Sequence, residues 1–69
     1  MPSFTRQAIM KAFMQLLEER PLNKITVKDI VEVCGINRNT FYYHFEDIPS
    51  LIEAIVKEET EMIAKQHSE

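Results

Sequence analysis

Apolar residues recur along this chain in four segments, at the spacing expected for helices with one buried face. The first segment runs from about Thr5 to Arg20. Its predicted buried stripe consists of Ile9, Ala12, Phe13, Leu16 and Leu17. Ser3 or Thr5 can cap its start. Pro21 enforces its end, because proline lacks an N–H and disfavours helical geometry in the preceding residue.

The second segment is short and carries signals for both of its ends. Thr26, with Asp29 three residues later, predicts a capping box at the start of a helix. Ile25 before the cap and Ile30 after it predict a hydrophobic staple. Gly35, the only glycine of the chain, stands where a helix needs a left-handed residue to stop. We expect the inward-facing positions of this helix to be Ile30, Val33 and Cys34.

The third segment begins two residues beyond that glycine and is rich in aromatic side chains. Asn37 is a good residue to cap its start. Phe41 and Phe45 lie four residues apart and share one helical face, so they are the predicted core pair. Tyr42 and Tyr43 are rotated toward the sides, where a ring can pack while its hydroxyl reaches water or a ligand.

The fourth segment opens with Asp47 as a cap and Pro49 in its first turn, and it runs to about Lys65. Its apolar positions are Ile48, Leu51, Ile52, Ile55, Met62 and Ile63. The far end of this helix has little of the chain to bury against. We therefore expect it to lead into a part of the protein outside this sequence.

Together the four segments predict an all-α, homeodomain-like helix-turn-helix domain. The second and third segments form the motif, because a capped short helix is followed by a tight turn at Gly35 and Ile36 and by another short helix. We expect a three-helix DNA-binding core over residues 1–47. Residues 48–69 then begin a long fourth helix, which we expect to continue beyond the DNA-binding core.

Charge restricts where such a domain could bind DNA. The net charge of −3 does not by itself favour a nucleic-acid partner. Residues 1–21 and residues 22–45 each carry three basic and two acidic side chains, whereas residues 46–69 carry two basic and seven acidic ones. Any basic surface must therefore come from the first two thirds of the chain.

Other functional classes find little support in the 69 residues. Cys34 is the only cysteine, which excludes an internal disulfide, and no cysteine–histidine metal set is present. No apolar run approaches the ~20 residues of a membrane span, and the first residues lack a signal peptide, so we expect a cytoplasmic protein. No nucleophile has a paired base at plausible spacing, and a domain this small has no room for a large buried site. We expect no enzymatic activity, cofactor or metal.

The start of the third segment carries side chains that can read base edges. In a helix-turn-helix the second helix projects its first turn into the major groove. Arg38 can pair with guanine, Asn39 with adenine, and Thr40 with a base edge or a thymine methyl group. These three residues therefore predict contacts to double-stranded DNA.

Other side chains in these two segments can hold phosphates. Helix starts offer free N–H groups to phosphate oxygens, and Thr26 can add a hydroxyl there. Tyr42, Tyr43 and His44 can donate hydrogen bonds to phosphates, and Lys28 can graze the backbone. The predicted DNA-binding set is Thr26, Lys28, Asn37, Arg38, Asn39, Thr40, Tyr42, Tyr43 and His44.

The stretch ITVKDIVEVCGINRNTFYYHFEDIPSLIEAI resembles the DNA-binding domain of TetR/AcrR-family transcriptional regulators, over roughly residues 5–60. The positions that match the family pattern are Thr26, Gly35, Thr40, Tyr42, His44 and Phe45. The resemblance implies phosphate contacts at Thr26, Tyr42 and His44. It also places Arg38, Asn39, Thr40 and Tyr43 near bases or backbone. For the whole protein it implies a homodimer that acts, by family default, as a repressor. It also implies that residues 48–69 lead toward an absent C-terminal domain, which mediates dimerisation and binds a small-molecule effector.

The sequence departs from that family where the fourth helix begins. Family members typically have a lysine after the HF pair, and it holds a phosphate. Here the region contains Glu46, Asp47, Ile48 and Pro49. Acidic side chains near DNA cost affinity, so we expect this anchor to be lost or replaced by backbone N–H groups.

This departure leaves a second function open. The domain could be a helical interaction module that has lost DNA binding and uses Tyr42 and Tyr43 as aromatic anchors for a protein. The acidic balance of the chain favours this alternative. The polar turn at residues 38–40 opposes it, because a protein-binding patch is more often apolar.

Overall fold

The computed structural model describes the backbone of residues 4–67 and the side chains of residues 4–61. Its four α-helices are α1 (Phe4–Glu19), α2 (Val27–Cys34), α3 (Arg38–His44) and α4 (Ile48–His67). A short 3-10 helix, Leu22–Lys24, lies between α1 and α2. Residues 4–67 contain no strand, so the predicted all-α class is confirmed. The predicted cap Ser3 and the predicted apolar side chains of Met62 and Ile63 lie outside the described residues.

The core of the domain lies between α1, α2, α3 and the first turn of α4. Ten apolar residues form one buried cluster, namely Ile9, Ala12, Phe13, Leu16, Ile25, Ile30, Val31, Phe41, Phe45 and Leu51. Phe41 is fully buried, and its ring centroid lies 5.9 Å from that of Phe45. The predicted core pair of the third segment is therefore confirmed, and it fixes which face of α3 points inward.

The turn between α2 and α3 depends on the single glycine. Gly35 has a φ of 78°, in the left-handed region. This conformation is unfavourable for a residue that has a Cβ atom, but not for glycine. The backbone N–H groups of Gly35 and Ile36 both donate to the Val31 carbonyl, at 2.8 and 3.1 Å. These bonds end α2 and direct the chain into α3 within a few residues, as the sequence predicted.

Two predictions about buried helix faces are wrong. Val33 is 45% exposed and Val31 is buried instead, because the inward face of α2 is centred between Ile30 and Val31. Leu17 is 38% exposed, since it lies at the edge of the α1 face that buries Leu16. Of the two caps predicted for α1, Thr5 lies inside the helix, which begins at Phe4, and Ser3 lies outside the described residues.

One side chain ties α4 to the rest of the domain beyond the core. Arg6, near the start of α1, forms an ion pair with Glu58 of α4. Its guanidinium carbon also lies 5.3 Å from the centroid of the Phe45 ring, at the end of α3. Arg6 therefore links α1 to α4 and to the end of α3.

Candidate nucleic-acid interface

The side chains that the sequence predicts to bind DNA lie on α3 and at the start of α2. The buried face of α3 carries Phe41, so the remaining faces are open to solvent. Thr40 and His44 are half-buried. The others are exposed, namely Thr26, Lys28, Asn37, Arg38, Asn39, Tyr42 and Tyr43. The structure therefore leaves the predicted set accessible to a ligand.

The start of α2 is held by the predicted capping box. The Thr26 hydroxyl oxygen accepts a hydrogen bond from the Asp29 backbone N–H at 3.2 Å. The Asp29 carboxylate accepts one from the Thr26 backbone N–H at 3.0 Å. That second bond is the main reason why the pKa of Asp29 is lowered. Because the Thr26 hydroxyl acts here as an acceptor, it can still donate its proton to a phosphate.

The start of α3 is held by Asn37. Its side-chain oxygen accepts hydrogen bonds from the Thr40 backbone N–H at 2.9 Å and from the Thr40 hydroxyl at 3.1 Å. Asn37 and Thr40 therefore order the first turn, and the Asn37 oxygen is occupied by that role. Arg38 and Asn39, which lie between them, project from an ordered helix start into solvent.

Two tyrosine rings project from α3 and are braced by neighbouring rings. Tyr42 is 52% exposed and meets the buried Phe41 ring edge to face, with centroids 5.4 Å apart. Tyr43 is 85% exposed and meets the His44 ring in the same way at 5.0 Å. Packing of this kind limits ring motion while the hydroxyl stays in water. The rings can thus contact a partner at low entropic cost.

A basic side chain that follows α1 contacts the start of α2. An Arg20 guanidinium nitrogen lies 3.3 Å from the same Asp29 oxygen that accepts the Thr26 N–H. Lys24 and Lys28, both exposed, precede and follow Thr26 by two residues. The sequence alone does not indicate Arg20 as part of this surface, because only folding brings it beside Asp29.

The start of α4 is acidic and is also capped. The Asp47 carboxylate accepts a hydrogen bond from the Ser50 backbone N–H at 2.9 Å, as the predicted cap requires. Glu46 is exposed beside it. Asp47 therefore has a structural role in the region where the resemblance implies a basic residue.

The described residues offer no sign of metal or membrane chemistry. Among them, no group of three or more His, Cys, Asp or Glu side chains could hold a metal ion. None of the described helices is both long enough and apolar enough to cross a bilayer. Cys34 is half-buried, and burial raises the pKa of its thiol, so the group is a weak nucleophile.

The sequence is similar to those of known helix-turn-helix proteins. Residues 9–55 match the family described as bacterial regulatory proteins, tetR family. The HTH-type transcriptional regulator YxbF of Bacillus subtilis is 31% identical over 65 residues, which cover 94% of this chain and 17% of that protein. The HTH-type transcriptional repressor BepR of Brucella suis is 36% identical over 52 residues, which cover 75% of this chain and 25% of BepR.

A third relative is named as an activator. The HTH-type dhaKLM operon transcriptional activator DhaS of Lactococcus lactis is 29% identical over 65 residues, which cover 94% of this chain and 35% of DhaS. The chain thus spans about a third or less of the length of these relatives. No solved structure shows a significant match.

The three names describe helix-turn-helix regulators of transcription rather than enzymes. The family match at residues 9–55 covers most of α1, all of α2 and α3, and the first turns of α4. It therefore includes the capping box, the glycine turn and the exposed helix described above. On this evidence the chain belongs to the tetR family of bacterial regulatory proteins.

Proposed function

We propose that this chain is the DNA-binding domain of a transcriptional regulator that reads a specific duplex sequence through α3 in the major groove. The observation that carries the proposal is the first turn of α3, which is polar, exposed and ordered by Asn37. Phe41 and Phe45 hold the opposite face of this helix in the core. Such a helix can enter a groove without disturbing the fold.

Base reading is assigned to the exposed side chains of that turn. Arg38 donates two hydrogen bonds to guanine, and Asn39 pairs with adenine through its amide. The Thr40 hydroxyl already donates to Asn37, so Thr40 contributes its methyl group, which suits a thymine methyl. The Asn37 oxygen serves the cap, and its amide N–H groups remain available to DNA.

Anchoring on the DNA backbone is assigned to side chains on both helices. Thr26 donates its hydroxyl proton to a phosphate at the start of α2. From α3, Tyr42 donates its hydroxyl proton and His44 donates a ring N–H. Tyr43 lies beside them, and Lys28 lies near the DNA backbone. These contacts fix the register of α3 and carry no sequence information.

The complete regulator is proposed to act as a homodimer in the cytoplasm. Two copies of α3 about 34 Å apart would read a palindromic operator. The relatives are roughly three to six times longer than the matched region, so we place dimerisation and small-molecule effector binding in the remainder of such a protein. We propose repression as the direction, as in BepR; a reporter gene under the operator tests it against the activation for which DhaS is named.

Selection of random duplex DNA by the full natural chain, followed at low and moderate salt, tests this function. We expect an inverted repeat and binding that weakens steeply with salt. Arg38→Ala should relax preference at one base position, at a cost of about 1–3 kcal/mol in discrimination, whereas Tyr42→Ala should weaken binding to all sequences alike. Absence of both enrichment and salt-sensitive binding would overturn the proposal.

A protein-interaction module remains the second candidate function. The observations that favour it are the 85% exposure of Tyr43 and the acidic start of α4 at Glu46 and Asp47. In that case the DNA selection fails, and a protein partner is lost on Tyr43→Ala without a dependence on salt. Recovery of an inverted repeat would contradict this candidate.

A further inference from the structure

Arg20 has none of the DNA contacts proposed above, although it lies beside the start of α2. It follows the last residue of α1, and its guanidinium pairs with Asp29. One oxygen of Asp29 meets both the guanidinium, at 3.3 Å, and the Thr26 backbone N–H, at 3.0 Å. This shared atom holds the Arg20 cation beside Thr26, although the two residues come from different elements.

The charge around this contact suits an anion. Residues 20–31 carry three basic side chains and one acidic side chain, in a chain whose net charge is −3. The basic ones are Arg20, Lys24 and Lys28. Of these, Arg20 and Lys28 act by their charge on the Asp29 carboxyl and help to lower its pKa, so two cations lie near one anion at the start of α2.

Arg20 is also free to change partner. Its side chain is 40% exposed, and an exposed ion pair of this kind contributes little to stability. A guanidinium has five N–H donors in a planar fork, so contact with one carboxylate oxygen leaves donors for a second acceptor. A phosphate at the Thr26 hydroxyl would lie within reach of the same fork.

We propose that Arg20 is a further phosphate contact of the DNA-binding surface, positioned by Asp29 so that it and Thr26 hold one backbone phosphate together. The proposal rests on the proposed function and adds the end of α1 to the interface. Because the contact is to a phosphate, it strengthens binding to every duplex sequence and discriminates among none.

The test compares variants of the full natural chain on the selected operator over a range of salt concentrations. Arg20→Gln should lower the slope of log affinity against log salt by about 0.9, which is about eightfold in affinity near 0.1 M salt. Arg20→Lys keeps the charge and should restore most of the slope. Lys11→Gln is the matched control, because it removes the same charge. Lys11 lines a groove between α1 and α4 with Met14 and Ile55, whereas the proposed DNA contacts are on α2 and α3. The Lys11→Gln variant should therefore keep the wild-type slope.

Asp29→Asn separates a DNA contact from a purely structural ion pair. Asparagine keeps an oxygen for the Thr26 N–H but removes the charge. A phosphate contact predicts that Asp29→Asn keeps the wild-type slope of log affinity against log salt, because Arg20 retains its charge. A structural pair predicts equal losses of thermal stability and DNA affinity in Asp29→Asn and Arg20→Gln.

Two further outcomes are distinct. An Arg20→Gln protein that binds with the wild-type slope overturns the Arg20 contact and leaves the proposed function standing. A wild-type protein without salt-sensitive binding to DNA overturns the proposed function, and the Arg20 contact falls with it.

Discussion

The starts of α2 and α4 are built alike and charged in opposite ways. In each, a side-chain oxygen of the capping residue accepts a backbone N–H from three residues later: Thr26 from Asp29, and Asp47 from Ser50. Around Thr26 stand Arg20, Lys24 and Lys28, whereas Asp47 has Glu46 beside it. A cap thus stabilises its helix whether the surrounding side chains are basic or acidic. The charge of those side chains decides whether the helix start suits a phosphate.

Loss of either cap should have the largest effect on the protein. Thr26→Ala and Asp47→Ala should each destabilise the fold by about 1 kcal/mol, because each removes an N-cap. Only Thr26→Ala should also weaken DNA binding, by about 0.5–1.5 kcal/mol, because it removes an uncharged hydrogen-bond donor to a phosphate. Chemical denaturation and operator titration measure the two effects.

Thr26→Ser, which keeps the hydroxyl, is the control for that pair. It should retain both stability and affinity. A loss of DNA affinity in Asp47→Ala that matches the loss in Thr26→Ala would show that the two helix starts are equivalent on DNA, contrary to the comparison.

Reversing the charge at the start of α4 tests whether nearby charge controls DNA affinity. Glu46→Lys should raise operator affinity by up to about eightfold near 0.1 M salt and steepen the salt dependence, because it supplies a phosphate contact. Glu59→Lys makes the same charge change farther along α4, beside the groove at Met14, and should have a much smaller effect. Equal gains in the two variants would mean that overall charge, rather than position, controls binding.

Acid provides the smallest effect, and it acts on α2. The pKa of Asp29 is lowered in the folded state, first by the hydrogen bond from the Thr26 backbone N–H. Its contribution to stability is therefore present above the unfolded pKa of about 3.9 and is lost as the pH falls through the folded value. Asp29→Asn should flatten this part of the stability profile between neutral and acidic pH, as unfolding measurements can follow. An unchanged profile would show that Asp29 does not contribute.

Local signals in the sequence account for most of the fold. The capping box at Thr26, the glycine turn at Gly35 and the cap at Asn37 each depend on residues a few positions apart, and all three form as predicted. The inward face of α2 was mispredicted because Val33 has helical spacing with Ile30, whereas Val31 has it with Val27 and Cys34, which also pack against the core. Packing against other helices, which local spacing does not encode, decides between them.

The candidate site shows the same division. The exposed turn at residues 38–40 can be predicted because its residue types and its helix start are local. The ion pair between Arg20 and Asp29 cannot, because it joins the end of one helix to the start of another. The DNA contacts of individual residues remain predictions, and the experiments above test them.

The Arg6 contact has a consequence for any salt titration of this protein. Leu51 anchors the first turn of α4 by burial, whereas farther out Glu58 meets Arg6 through a partly exposed ion pair. Ions screen such a pair just as they screen a protein–phosphate contact. Raising the ionic strength therefore weakens the Arg6–Glu58 pair as well as the protein–DNA contacts. The number of counterions calculated from the salt dependence then includes a contribution from within the protein. Variants that all retain Arg6 cancel that contribution, so differences between their slopes are more informative than any slope alone.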